Sequence, residues 1–148
     1  MTDQIQITSR LPAAHRAALE QLLFFNAQQD SIRSRLEEVI EQYGVPQVVV
    51  HDELLRVEVG DLTGVQGLYA LRADGQPVGC ALFFRASESR FVVIHLVVDP
   101  DYAVRGAHAD ANVLMRLLGA IRQSARRTRG VCGIELLYPA GRSRTLTI

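Results

Sequence analysis

The sequence predicts an α/β fold with a mixed central sheet and flanking helices, and its hydrophobic periodicity carries that reading. Apolar residues recur at helical spacing in two N-terminal stretches and again around Val113 to Ile121, and between them they alternate or run together as strands from Val48 to Val98. A strand, a long helix and a further strand then follow in order, the pattern of a crossover between parallel neighbours, whereas the hairpin before it is antiparallel. At 148 residues, 48% hydrophobic and 22% charged, the chain has the size and composition of a single domain over 1–148.

Ile5 and Ile7 alternate with polar neighbours between Gln4 and Thr8, a short strand. Leu11-Pro12 opens a helix, since proline suits a first turn whose amide is unused, and its stripe is Ala14, Ala18, Leu19, Leu22, Leu23 and Phe25 or Asn26, ending near Gln28. A second helix, capped by Asp30 or Ser31, carries Ile32, Leu36, Val39, Ile40 and Tyr43 and stops at Gly44 and Pro46. Val48 to Val50 and Leu55, Val57 and Val59 read as strands around a bend at His51-Asp52-Glu53. Gly67 to Arg72 and Pro77 to Phe84 form a hairpin about Ala73-Asp74-Gly75-Gln76, because Asp-Gly tolerates the positive φ of a tight turn. A turn at Ala86 to Ser89 leads into Phe91 to Val98, whose β-branched and aromatic run is that of a strand buried on both faces. A long helix over 109–128 buries Val113, Leu114, Leu117, Leu118 and Ile121 and shows Arg116, Arg122, Gln123, Arg126 and Arg127 on its other side. Gly130 ends it, Val131 to Tyr138 is again a strand, and Pro139-Ala140-Gly141 turns the chain into a last extended piece, Arg144 to Ile148.

Composition excludes several kinds of chemistry. All sixteen Lys+Arg residues are Arg, so neither a lysine Schiff base nor a P-loop lysine is available. They balance sixteen Asp+Glu, and no whole-molecule field recruits nucleic acid or a membrane surface. No apolar run has the length of a spanning helix, and MTDQIQITSR lacks the apolar block of a signal peptide, so the expected compartment is cytoplasmic. Cys80 and Cys132 stand apart in apolar runs and read as core thiols in a reducing compartment. His15, His51, His95 and His108 show no metal-ligand spacing, and no serine sits in a G-x-S-x-G elbow.

Leu96-Val97-Val98-Asp99-Pro100-Asp101-Tyr102, ending one strand, resembles the L-x-V-x-P-x-Y of the GNAT superfamily of acyl-CoA-dependent N-acetyltransferases, as does the preceding Asp-Gly-Gln-Pro-Val-Gly hairpin. The resemblance covers roughly residues 60 to 138. It implies a GNAT-like fold in which the fourth strand splays from the fifth, with Leu96, Val97 and Val98 offering backbone groups to the pantetheine arm of acetyl-CoA. The following helix would then point its N-terminus at the pyrophosphate. The family's phosphate loop, Q/R-x-x-G-x-G/A, aligns with Arg105-Gly106-Ala107-His108-Ala109-Asp110, in which His108 and Asp110 hold the glycine positions. A carboxylate ~5 Å from a phosphate charge costs about 1–3 kcal/mol, whereas Asp110 as N-cap of the long helix would contribute about 1 kcal/mol. Members of the family continue past the fifth strand with a helix and two strands. Here about ten residues follow Tyr138, so an early hairpin around His51-Asp52-Glu53 or a partner subunit is expected to cover the sheet, and the open edge predicts a homodimer.

Two candidate catalytic residues follow from the same resemblance. His95 stands on the strand where the family places a general base, and a neutral imidazole there could deprotonate an amine; a buried histidine bonded to a backbone carbonyl is the competing reading. Tyr138 could protonate the departing thiolate in place of the tyrosine on the missing helix, or simply pack at a strand end. Arg122, Arg126, Arg127 and Arg129, with Arg142 and Arg144 beyond, form either a solvated helix end or a phosphate contact. The implied activity is transfer of an acetyl group to an amine, on a small molecule or a protein. The alternative is a non-catalytic module that binds through the same cleft.

Overall fold

The computed structural model describes residues 4–24, 41–103, 106–138 and 142–147. The strands are β1 (Gln6–Thr8), β2 (Pro46–His51), β3 (Leu54–Val59), β4 (Gln66–Leu71), β5 (Pro77–Ser87), β6 (Arg90–Val98), β7 (Gly133–Tyr138) and β8 (Arg142–Thr147). Helices α1 (Arg16–Phe24) and α2 (Val113–Arg127) pack on them. Six strands form a mixed sheet in the order β1-β4-β5-β6-β7-β8, while β2 and β3 pair as a separate hairpin. Strands β6 and β7 are parallel, joined by α2 as the crossover pattern requires, and the other pairs are antiparallel.

Two apolar cores lie on the two faces of the sheet. On one, Leu19, Leu22 and Leu23 of α1 and Val48, Leu55 and Val57 of the β2–β3 hairpin meet Tyr69, Cys80, Leu82, Phe84, Val92, Ile94 and Val97. On the other, Val113, Leu117, Ile121 and Ala125 of α2, one every four residues, meet Ala70, Ala81, Phe83, Phe91, Val93 and Ile134. Each fully buried large apolar side chain contributes about 1.5–3 kcal/mol relative to exposure, so the two layers fix the helices on opposite sides. Polar contacts tie the elements down at their ends. Arg16 of α1 donates to the Val48 carbonyl at 2.9 Å. Arg85 of β5 donates to the carbonyls of Glu88 and Arg129, at 2.6 and 2.8 Å, beyond the end of α2.

The local signals hold where they are strong. Gly75 has φ +87° and the Asp74 carboxylate accepts the Gln76 amide at 3.1 Å, closing the expected β4–β5 turn. Asp52 and Glu53 form the β2–β3 turn with φ of +51° and +66°. The first helix starts with a 3-10 turn, Ala13–His15, before α1. Its expected end near Gln28, and the second helix up to Ile40, lie outside the described residues; residues 41–43 are helical, and Gly44 at φ +107° takes the chain out.

Four expectations are corrected. The long helix starts at Val113, not at 109, because Ala109–Ala111 is a 3-10 turn and Asn112 breaks the run with a left-handed φ of +52°. Asp110 therefore is not the N-cap of that helix. Cys80 is buried, and burial pushes its thiol up, but Cys132 is exposed, since it lies where Gly130 turns the chain between α2 and β7. The outer edge of β7 is covered by β8, not by the early hairpin, which stays out of the main sheet.

Candidate functional site

Strand β6 carries the feature that opens a site. Val93 pairs with Phe83 and His95 with Leu82, so Ile94 and His95 together stand opposite one residue, a β-bulge. The extra residue reverses the alternation. Before it, Phe91 and Val93 face α2 while Val92 faces α1; beyond it, Leu96 and Val98 face α2 and Val97 faces α1. His95, directly across from Leu82 of the α1-side core, turns to that same side and is 8% exposed.

The ladder between β6 and β7 runs from Arg90–Gly133 to Val93–Leu136 and ends there. Strand β6 continues to Val98, while Leu137 and Tyr138 of β7 pair away from it, with Ser143 and Arg142 of β8. The two parallel strands thus split at their carboxyl ends, where open α/β sheets place their ligands. The five residues from Ile94 to Val98 give the split an edge of about 16 Å at ~3.3 Å per residue. Of the expected residues, the structure brings His95, Leu96, Val97 and Val98 to this edge, and Tyr138 ends the opposing strand.

The loop after β6 is bonded to itself. The Asp99 carboxylate accepts the Asp101 amide at 2.9 Å and starts a 3-10 turn at Pro100–Tyr102. Tyr102 is buried and stacks on His108 with ring centroids 4.9 Å apart. A Cβ on Gly106 would fall onto the Pro100 and Asp101 carbonyls, so glycine is required for the loop to close. The amides of Gly106, His108, Ala109, Ala111 and Asn112 donate to the carbonyls of Ala103, Asp101, Gly106, His108 and Ala109. They therefore do not form an open cradle. Arg105 lies outside the described residues, Ala107 is exposed, and Asp110 lines a recess beside Arg72 and Arg116 at the β1–β4 side of the α2 start. The first turn of α2 is different. Asn112 makes no side-chain cap and no acidic residue stands in that turn, so the Val113, Leu114 and Met115 amides have no intrahelical acceptor.

Sequence reasoning missed a polar group on the α1 side of the split. Glu135 of β7, opposite Val92, pairs with Arg90 at 3.1 Å. Above them Tyr43 accepts from Gln42 at 3.1 Å and packs edge-on against Phe84, with centroids 5.5 Å apart. Partial burial and the Glu135 charge raise the Tyr43 hydroxyl above its ordinary range, with Arg90 and Gln42 opposing. The one signal in the sequence was a carboxylate inside the apolar run Ile134-Glu135-Leu136. Of the arginines near the end of α2, Arg126, Arg127 and Arg129 are exposed, while the Arg122 Nε is buried without a hydrogen-bond partner among the described residues. No group of three or more His, Cys, Asp or Glu assembles among the described residues.

A mixed sheet whose parallel pair splits at its carboxyl ends, with a helix starting beside the split, defines an acyltransferase-type α/β fold. It is the GNAT fold. An acetyltransferase from Streptococcus agalactiae 2603 superposes over 89% of this chain and 71% of its own, with a TM-score of 0.54 at 19% identity. A GNAT-family acetyltransferase from Staphylococcus aureus Mu50 does so over 90% and 72%, with a TM-score of 0.56 at 14% identity. A GNAT-family acetyltransferase from Elizabethkingia anophelis, solved with acetyl-CoA bound, covers 89% and 63%, with a TM-score of 0.50 at 14% identity. No protein-family model and no curated protein matches the chain.

Proposed function

We propose that the protein is an acyl-CoA-dependent N-acetyltransferase that binds acetyl-CoA in the split between β6 and β7. The observation that carries the reading is the ladder that stops at Val93–Leu136 while β6 runs on to Val98. An extended pantetheine arm needs a strand edge of that kind, with its amide groups bonding to the backbone around Leu96 and Val97. The acetyl-CoA bound to the Elizabethkingia protein supports the same cosubstrate here. Because the amides of Gly106, His108, Ala109, Ala111 and Asn112 are taken up internally, the pyrophosphate goes to the uncapped first turn of α2, Val113 to Met115. Asp110 lies in the recess on the β1–β4 side of the α2 start, whose Arg72 is itself paired with Asp74 at 2.7 Å.

In this reading the acceptor amine approaches from the α1 side, the side to which the bulge turns His95. His95 removes the proton of the ammonium, and the freed nitrogen lone pair attacks the thioester carbonyl. The C–S bond then breaks and CoA leaves as the thiolate, which Tyr138 protonates, while the second proton shed by the attacking nitrogen as the amide forms returns to Tyr138. The acceptor is a small-molecule or protein amine. A cytoplasmic homodimer completes the proposal, formed through β8, the outer strand on that side of the sheet.

Calorimetric titration with acetyl-CoA and with CoA is the test. One-to-one micromolar binding is the expected result, and no heat or thermal stabilisation at millimolar ligand overturns it. His95→Ala is expected to leave binding intact and slow turnover by about 10²–10⁴; a loss of stability with full residual turnover would assign His95 to the core alone.

A further inference from the structure

Strand β1 covers only part of β4. It pairs from Gln6–Leu71 to Thr8–Tyr69 and then leaves the sheet, drawn toward β3 by the Leu55 amide on the Leu11 carbonyl, at 2.7 Å, and by the Pro12–Leu54 bridge. The outer edge of β4 from Gln66 to Leu68 is left without a neighbouring strand among the described residues. Along it runs an open groove of about 1190 Å³, with β3 on one side and α2 on the other. That exceeds the ~300–1,000 Å³ of a small-molecule pocket.

Two residues in the groove are unexplained by the fold itself. Gly119 lies in the middle of α2 without a positive φ, and nothing stands within 4 Å of the place a Cβ would take. Glycine there costs about 1 kcal/mol against alanine, and neither packing among the described residues nor its backbone geometry requires it. With Ala120 it leaves a notch in the groove wall. Tyr69 is 1% exposed and lines the groove, with its hydroxyl against Gly67. Among the described residues that hydroxyl has no hydrogen-bond partner. Burial raises its pKa well above the ordinary tyrosine range, so it remains a neutral donor and acceptor.

The charge of the groove is one-sided. Among the described residues Arg56, Arg116 and Arg127 line it, and no Asp or Glu does. Arg116 is held by the Ile5 carbonyl at 2.9 Å. Along α2, Arg116 and Arg127 are about 16 Å apart at ~1.5 Å per residue, the length of about five residues of extended chain. A second copy laid edge to edge would bring two sets of three arginines together, which opposes it.

We propose that this groove docks an extended, acidic segment of a partner protein. The segment pairs through its backbone with Gln66–Leu68, takes the place that β1 vacates, and passes close over Gly119. Its carboxylates meet Arg116 and Arg127, and the Tyr69 hydroxyl bonds to its main chain. The proposal is independent of acetyl transfer, since the groove lies across the sheet from the β6–β7 split.

The test is calorimetry with two blocked heptapeptides, Ac-Glu-Val-Thr-Val-Thr-Val-Glu-NH2 and its counterpart with Lys at both ends. The glutamate peptide is expected to bind one-to-one and the lysine peptide not to bind. Arg127→Glu is expected to weaken binding about tenfold. Gly119→Leu is expected to abolish binding with no fall in the thermal midpoint, and Gly119→Ala to raise the midpoint while weakening binding. Absence of binding by the glutamate peptide at millimolar concentration, equal binding of both peptides, or undiminished binding by Gly119→Leu overturns the proposal. So does a dimer that Gly119→Leu dissociates, because the occupant would then be a second copy.

Discussion

The two halves of β6 are alike in composition and opposite in role. From Arg90 to Val93 the strand has a ladder on each side, with β5 and β7, and Phe91, Val92 and Val93 enter the two cores in regular alternation. From Ile94 to Val98 it keeps the β5 ladder, loses β7, and carries a bulge. Without the extra residue His95 would face α2 and Val97 would change sides as well. A run of apolar residues therefore becomes core or cleft according to what pairs beside it, and a single inserted residue decides which face holds the imidazole.

Substitutions that separate the halves sharpen this comparison. The largest expected effect is in the first half. Phe91 is 1% exposed and tilts against Phe83 with centroids 5.4 Å apart, so Phe91→Ala is expected to cost about 3–5 kcal/mol in denaturant unfolding. Acetyl-CoA affinity, measured where the variant is still folded, should change little. Gly79 sits under the second half, opposite Val98, and a Cβ there would lie 2.7 Å from Val113 Cγ1 and 3.1 Å from Leu117 Cδ1. Gly79→Ala is expected to cost about 1–3 kcal/mol. It pushes on the start of α2, so its loss of acetyl-CoA affinity should exceed that of Phe91→Ala. The reverse order would break the division between a structural half and a binding half.

The sequence shows the first half better than the second, for a physical reason. Strong local signals, such as Asp74-Gly75 and the four-residue spacing from Val113 to Ala125, report geometry that neighbouring residues enforce. The bulge leaves no such mark, because Phe91 to Val98 is apolar on every position but His95 and a period of two cannot be read from it. The helix start was misplaced for a related reason. Asp110 is a good cap by residue type, but Asn112, which also tolerates a left-handed backbone, breaks the helix later. Glu135 was invisible as a site residue because its meaning comes from Arg90 and Tyr43, which strand pairing and the 41–43 helical end bring to it.

Alkaline pH tests the second half from below. Cys80, opposite Val97, is wholly buried, and burial raises its thiol above the ordinary 9.0. The folded state holds that proton while the unfolded chain releases it, so stability is complete below the unfolded value and falls as pH rises through it. The slope from one such group reaches about 1.4 kcal/mol per pH unit. Tyr69, raised mainly by burial and then by the Cys80 charge, adds a second loss above its ordinary 10.0. Cys80→Val is expected to remove the first descent and leave the second; a profile unchanged by that substitution would assign the whole loss elsewhere.

The smallest expected effect lies where the first half meets β7. Arg90 and Glu135 stand 3.1 Å apart with side chains 49% and 19% exposed. An ion pair that open to water contributes about 0–1 kcal/mol, less at high salt. Arg90→Gln should therefore shift the unfolding midpoint only slightly, since the four backbone pairs from Arg90–Gly133 to Val93–Leu136 remain. A larger loss would mean that Glu135 cannot reach solvent once its partner is gone. Its carboxylate would then be a buried charge on the α1 side of the split, and the Tyr43 hydroxyl, already raised by that charge, should titrate at still higher pH in the variant.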